Sequence, residues 1–237
     1  MKLGLLDAVP PEYEGVTDKS DPEYFRELFG AAVDDTAKMP AYVASAGELP
    51  AELDECDAYL ITGSPRSVYE DVVWIHQLQD FVQRCFDAGK PLVGICFGHQ
   101  LIAQALGGKV QHAEQGWLLG LNAIQVREQM SWMSSYQQDC ALYYFNHDQV
   151  VELPPGATLL AGSDLCPNGM YTIGSKVLSL QPHPEHVRAS IVAFLHEIRD
   201  RLTPEEFSKA EDSLDQGAPD AALFGAWIWQ FLLDAKG

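Results

Sequence analysis

Basic residues are scarce in this chain: its 237 residues hold 15 lysines and arginines against 34 aspartates and glutamates, a formal net charge of −19. A surface that acidic repels polyphosphates and anionic bilayers, which argues against nucleic acid and membrane as partners. Long apolar runs are also lacking, with none near the roughly 18 residues a membrane span needs. The opening Met1-Lys2-Leu3-Gly4-Leu5-Leu6-Asp7 meets an acid too soon for a signal peptide. Five cysteines (Cys56, Cys85, Cys96, Cys140 and Cys166) form an odd set without a C-x-x-C pair. With no export signal they read as reduced thiols in a cytoplasmic protein. No G-x-x-x-x-G-K stretch offers a phosphate cradle, and no further His or Cys spacing extends His183 and His186 into a ligand set, so neither cofactor nor metal is expected.

What is present is an alternation of short apolar runs with helical periodicities, the pattern of an α/β fold: an open, mostly parallel twisted sheet with helices on both faces. Leu3 to Val9, Ala58–Ile61, Leu92–Ile95, Leu119–Val126, Leu142–Phe145, Thr158–Ala161 and Val177–Leu180 are the strand candidates. Trp74, Ile75, Leu78, Phe81, Val82, Cys85 and Phe86 keep helical spacing, closed by Gly89 and Pro91. Leu101 to Leu106 and Val187 to Leu202 mark two further helices. Thr203-Pro204-Glu205-Glu206 is a helix start with a capping hydroxyl, proline in the first turn and a glutamate three residues on. The chain divides into residues 1–200, carrying the α/β pattern, and a helical extension over 201–237.

Two segments carry chemistry. Gly94-Ile95-Cys96-Phe97-Gly98-His99-Gln100 lies between a buried strand and a helix, the setting of a nucleophile elbow. Glycines on both sides permit the tight turn, and a helix N-terminus favours the thiolate, the reactive form of cysteine. Taken alone, the same pattern also suits a buried structural cysteine. The second segment, Gln181-Pro182-His183-Pro184-Glu185, follows a strand directly. Two residues apart in extended chain, His183 and Glu185 project to one side, and the prolines keep that segment out of helix. A thiol needs a base, and the base needs a third group to orient it; taken alone, the pair also suits a surface contact.

Together the two segments resemble the class I, triad-type glutamine amidotransferases, with particular likeness to the glutaminase domain of GMP synthetase and its stand-alone relatives. The G-x-C-x-G-x-Q motif is matched in full by Gly94 to Gln100 and the H-P-E motif by His183-Pro184-Glu185, and the likeness runs from Leu3 to about Leu195. It implies a flavodoxin-like catalytic domain with Cys96 as nucleophile, His183 as base and acid, and Glu185 as orienting carboxylate. The oxyanion loop, Gly-Gly-Pro in the family, reads Gly63-Ser64-Pro65 here. The implied donors are the amides of Ser64, if it tolerates the local dihedrals, and Phe97. Gly63, Gln100, Asn146 and Asp148 are the implied substrate contacts.

The resemblance implies hydrolysis of a γ-carboxamide, of glutamine or of a γ-glutamyl compound, through a γ-glutamyl thioester. It leaves open an ammonia-accepting synthase subunit, a free-standing γ-glutamyl peptidase, and a non-catalytic regulatory or binding subunit of the same fold. Beyond the likeness lies an almost wholly apolar stretch, Ala221 to Leu233. A helix of that composition must be covered, by its own domain or by a second copy in a homodimer, with Trp227, Trp229 and Phe231 as anchors.

Overall fold

Four-residue apolar runs build the centre of the fold. The computed structural model describes residues 1–30 and 38–236. In chain order the elements are β1 (Leu3–Leu6), α1 (Asp21–Gly30), β2 (Ala41–Tyr42), β3 (Ala58–Ile61), α2 (Val73–Asp87), β4 (Leu92–Ile95) and α3 (Phe97–Ala105). There follow β5 (Lys109–His112), β6 (Leu118–Val126), β7 (Asp139–Asn146), β8 (Asp148–Glu152), β9 (Ala157–Gly162), β10 (Met170–Ile173) and β11 (Val177–Leu180). Helices α4 (Arg188–Glu197), α5 (Pro204–Ser213) and α6 (Ala221–Lys236) complete the chain.

Nine strands form one sheet in the order β2-β1-β3-β4-β11-β10-β9-β6-β7. Pairing is parallel from β2 through β11 and antiparallel from β11 to β7. Every residue of β1, β3, β4 and β11 is buried, as expected of parallel strands covered on both faces. Their alternate residues divide between two cores. Leu3, Leu5, Leu60, Val93, Ile95, Leu178 and Leu180 face α1 and α6, whereas Leu6, Tyr59, Ile61, Leu92 and Val177 face α2 and α3. A third apolar cluster joins α4 and α5 to β6 and β7. The capping box expected at Thr203 forms: its hydroxyl accepts from Glu206 N–H at 3.2 Å, and the Glu206 carboxylate accepts from Thr203 N–H at 2.8 Å.

Helix α6 lies on the same face as α1. Trp227, Trp229 and Phe231 are buried within the chain, and the Trp227 indole donates to Ser134 O. Gly225 allows the close approach of the two helices, since a side-chain carbon there would stand 2.9 Å from Leu28 Cδ1.

The structure departs from the sequence reading in places. The first strand ends at Leu6 rather than Val9, because Asp7 turns the chain by accepting Val9 N–H on its own carboxylate at 3.0 Å. The sequence reading does not include α1, β2, β5, β8 or β10. The last three are four or five residues long, and β5 and β8 form a separate antiparallel ribbon.

What this topology does for the site is simple. The parallel register Leu180↔Ile95 ends β11 and β4 side by side, so the residues following each strand emerge together at their carboxyl ends.

Candidate active site

Cys96 joins β4 to α3 with φ 51° and ψ −102°, a conformation that non-glycine residues rarely hold. Its backbone is fixed on both sides: Cys96 N–H donates to Leu180 O at 2.9 Å, and Cys96 O accepts Gln100 N–H at 3.0 Å. The flanking glycines have separate steric reasons. A side-chain carbon on Gly94 would lie 2.5 Å from Gly98 O, and one on Gly98 would lie 2.4 Å from Ile61 O. Both contacts are with backbone, which cannot step aside, so the elbow closes only with glycine at both positions.

His183 reaches the same place from the far end of β11. Its N–H donates to Tyr143 O at 2.8 Å in an isolated bridge to β7. Its Nδ1 lies 2.7 Å from Oε1 of Glu185, and both side chains are buried. Gly63 shows how closely the groups converge. A carbon built on its Cα would lie 3.1 Å from Cε1 of His183, 3.7 Å from Oδ2 of Asp21 and 3.9 Å from Cβ of Cys96.

Burial opposes charge on His183, but the negative charges of Cys96 and Glu185, with the hydrogen bonds to them, outweigh it and raise the imidazole pKa well above its usual value. Burial likewise pushes Glu185 upward, yet the charge of His183 and its hydrogen bond bring the carboxyl below the ordinary range. His186 packs 4.8 Å from His183, ring to ring, and burial lowers its pKa to about 4, so it stays neutral.

The Gly63-Ser64-Pro65 loop borders the same cavity. Ser64 is not among the residues with positive φ, so replacing the family's second glycine introduces no left-handed strain. Phe97 turns its side chain into the core, 5.6 Å from the Trp74 ring, while its amide opens α3, where amides have no intrahelical acceptor.

Across the cavity lie the residues expected to contact substrate. The Gln100 side-chain amide donates to Asp148 O at 2.8 Å and to Gln181 Oε1 at 3.0 Å, so what Gln100 can present to a ligand is its carbonyl oxygen. Asn146 donates to Asp148 O at 3.0 Å, and its own Oδ1 has no partner among the described residues. The Asp148 carboxylate accepts from Ser67 Oγ and from Tyr69 OH at 3.0 Å, and its Oδ1 lies 2.9 Å from Nδ1 of His147. Burial alone would raise its pKa, but these partners bring it down to about 2. Asp148 is therefore ionised at neutral pH.

The cavity measures about 550 Å³. Asp7 and Asp21, which sequence reasoning missed, form part of its wall, with Trp117, Phe145 and Phe194. Asp21 is buried without a hydrogen bond to its carboxyl among the described residues; burial first, then Glu185 and Asp7, push its pKa well up. The Ser20-Asp21-Pro22-Glu23 helix-start pattern was the available signal for α1, but it gave no sign that Asp21 faces a cavity.

A profile of the family described as glutamine amidotransferase class-I matches residues 36–191. Gamma-glutamyl peptidase 3 of Arabidopsis thaliana is 33% identical over 196 residues, spanning 78% of this chain and 79% of that protein. The glutamine-hydrolysing GMP synthase of Pyrobaculum aerophilum is 30% identical over 180 residues, spanning 73% of this chain but 34% of that protein. A glutamine amidotransferase of Thermotoga maritima shares the fold at a TM-score of 0.74 and 16% identity, over 98% of both chains.

Proposed function

The chain belongs to the class-I glutamine amidotransferases, and on that premise we propose that it is a free-standing cytoplasmic hydrolase of γ-glutamyl compounds, working through a γ-glutamyl thioester on Cys96. The observation that carries this reading is the convergence of Cys96 and His183 on Gly63, with Glu185 bound to the Nδ1 side of the imidazole. That arrangement suits a thiolate–imidazolium pair. With Nδ1–H donating to Glu185, Nε2 is the nitrogen left to exchange a proton with the reacting atoms.

In the first half-reaction the Cys96 sulfur attacks the γ-carbonyl carbon, and the negative charge that develops on oxygen falls to the amides of Ser64 and Phe97. Losing one such donor costs about 10²–10³ in rate in comparable acyl-transfer sites. The carbon–nitrogen bond then breaks as imidazolium His183 gives its proton to the leaving amine. Water adds to the thioester, His183 takes the water's proton, and the Cys96 thiolate departs to release glutamate. Gly63, Gln100, Asn146 and Asp148 hold the glutamyl group, the unpartnered Oδ1 of Asn146 being suited to its α-ammonium.

The cavity favours a leaving group larger than ammonia. At about 550 Å³ it falls in the range of sites that enclose drug-sized ligands, beyond what glutamine requires. The likeness to a γ-glutamyl peptidase over most of both chains supports the same choice. The test is glutamate release from a panel of γ-glutamyl dipeptides, γ-glutamyl alkylamides and glutamine, with Cys96→Ala as control. Release from none of them, or release retained in the variant, would reject the proposal. Turnover confined to glutamine and stimulated by an added synthase would favour the amidotransferase reading, for which the GMP synthase likeness speaks.

A further inference from the structure

The β5–β8 ribbon brings together three side chains whose ligating atoms lie within 3.5 Å of one another. His112 ends β5 and is the register partner of Asp148 at the start of β8, with His147 in the turn just before it. Nδ1 of His112 lies 3.1 Å from Nδ1 of His147. That second nitrogen lies 2.9 Å from Oδ1 of Asp148, and His112 Nδ1 lies 3.5 Å from the same oxygen. An imidazole nitrogen has a single in-plane position, filled by either a hydrogen or a lone pair. Nδ1 of His147 therefore serves both neighbours only by sharing one N–H between His112 Nδ1 and Asp148 Oδ1.

The three ligating atoms stand close enough together for one cation between them to take a lone pair from each. We propose that His112, His147 and Asp148 form a binding site for a borderline divalent cation, zinc by the character of its ligands. Two imidazoles and a carboxylate make a familiar zinc set. Donors about 2.0–2.1 Å from a tetrahedral zinc stand about 3.3 Å from one another, and the three separations here, 2.9, 3.1 and 3.5 Å, bracket that value.

The surroundings hold these donors in place, as outer-shell groups do at metal sites. Ser67 and Tyr69 donate to the Asp148 carboxylate, and the Trp117 ring meets His147 edge to face at 4.5 Å. Ala113 N–H donates to His147 O at 2.8 Å, tying the turn to β5. Three protein ligands leave a fourth tetrahedral position open. His147 and Asp148 line the cavity, whereas the His112 side chain is 64% exposed, so the ion stands at the cavity rim with a route from solvent. His183, Glu185 and His186 are a second group of three ligating residues among those described. They fit a metal less well: His183 and Glu185 are spent on each other at 2.7 Å, His186 Nε2 stands 3.7 Å from Glu185, and all three are buried.

The test is a titration with Co²⁺ in Cys96→Ala protein, which lacks the thiol most able to compete. The expected result is one ion per chain with the strong visible absorption of four-coordinate cobalt, displaced by Zn²⁺. His112→Ala, a change at an exposed position, should weaken binding at least tenfold. Absence of stoichiometric binding would overturn the site, and so would equal affinity with and without His112, which would move the ion to His183, Glu185 and His186.

Discussion

Replacing Glu185 by glutamine tests how far a buried carboxylate sets the chemistry of the proposed triad. The change keeps shape and removes one charge 2.7 Å from His183 Nδ1. A hydrogen bond to a charged group contributes about 1.5–3 kcal/mol, and one pKa unit corresponds to about 1.4 kcal/mol. Removing the Glu185 charge should therefore lower the His183 pKa by roughly one to two units. The sign follows from the causes: burial already depresses that pKa, and only Cys96 and Glu185 hold it up. Activity that needs imidazolium is lost as pH rises through the His183 pKa, so the basic limb of the kcat/KM profile should move to lower pH by the same amount. At neutral pH, Cys96 alkylation by iodoacetamide should slow by about 10- to 100-fold as the ion pair becomes less populated. A glutamine that turned its N–H toward Nδ1 would also impose the wrong tautomer, and loss of the correct tautomer in an analogous triad costs about 10⁴ in kcat. Stability should follow the same linkage. A histidine pKa raised by folding stabilises fully below the unfolded value and loses that contribution as pH rises through the folded one, so the variant should lose it earlier. An unmoved basic limb, with alkylation within twofold of the parent, would refute the assignment of Glu185 as the orienting group.

Cys96→Ala should abolish glutamate release while leaving the circular dichroism spectrum unchanged; residual turnover would remove Cys96 as nucleophile. Gly98→Ala places a methyl 2.4 Å from Ile61 O and should destabilise by roughly 1–3 kcal/mol, lowering Tm by about 2–4 °C for each of these; an unchanged melt would show that the elbow relaxes freely. His99 is buried, with its pKa lowered to about 3 by burial, so the unfolded chain binds the extra proton between about pH 6.5 and 3 and acid destabilises the fold there. His99→Gln should flatten that fall by up to about 1.4 kcal/mol per pH unit, read from urea midpoints at pH 4 and 7; parallel slopes would contradict it. Deleting residues after Gly217 removes α6 from its core and should give insoluble or unfolded protein, whereas a soluble, active product would show that the helix is dispensable.

Much of this protein is written locally in its sequence. Strands β3, β4 and β11 are legible to the residue because each is a four-residue run, apolar but for Ser179, with turn-forming or polar neighbours. The elbow at Cys96 and the His183–Glu185 pair could be read for the same reason, since each depends on neighbours within a few positions. Elements with little periodicity, β5, β8 and β10, left no such mark. Nor did any contact that joins distant segments. That Cys96 meets His183 follows from the parallel register of β4 with β11. The placing of Asp21 on the cavity wall, the burial of Trp227, Trp229 and Phe231 within the chain, and the meeting of His112 with His147 and Asp148 all belong to tertiary structure. Local spacing determines which way a side chain points from its own strand or helix, whereas what it meets there depends on which distant segment packs opposite, through hydrogen-bond register and apolar burial that a single stretch of residues does not encode.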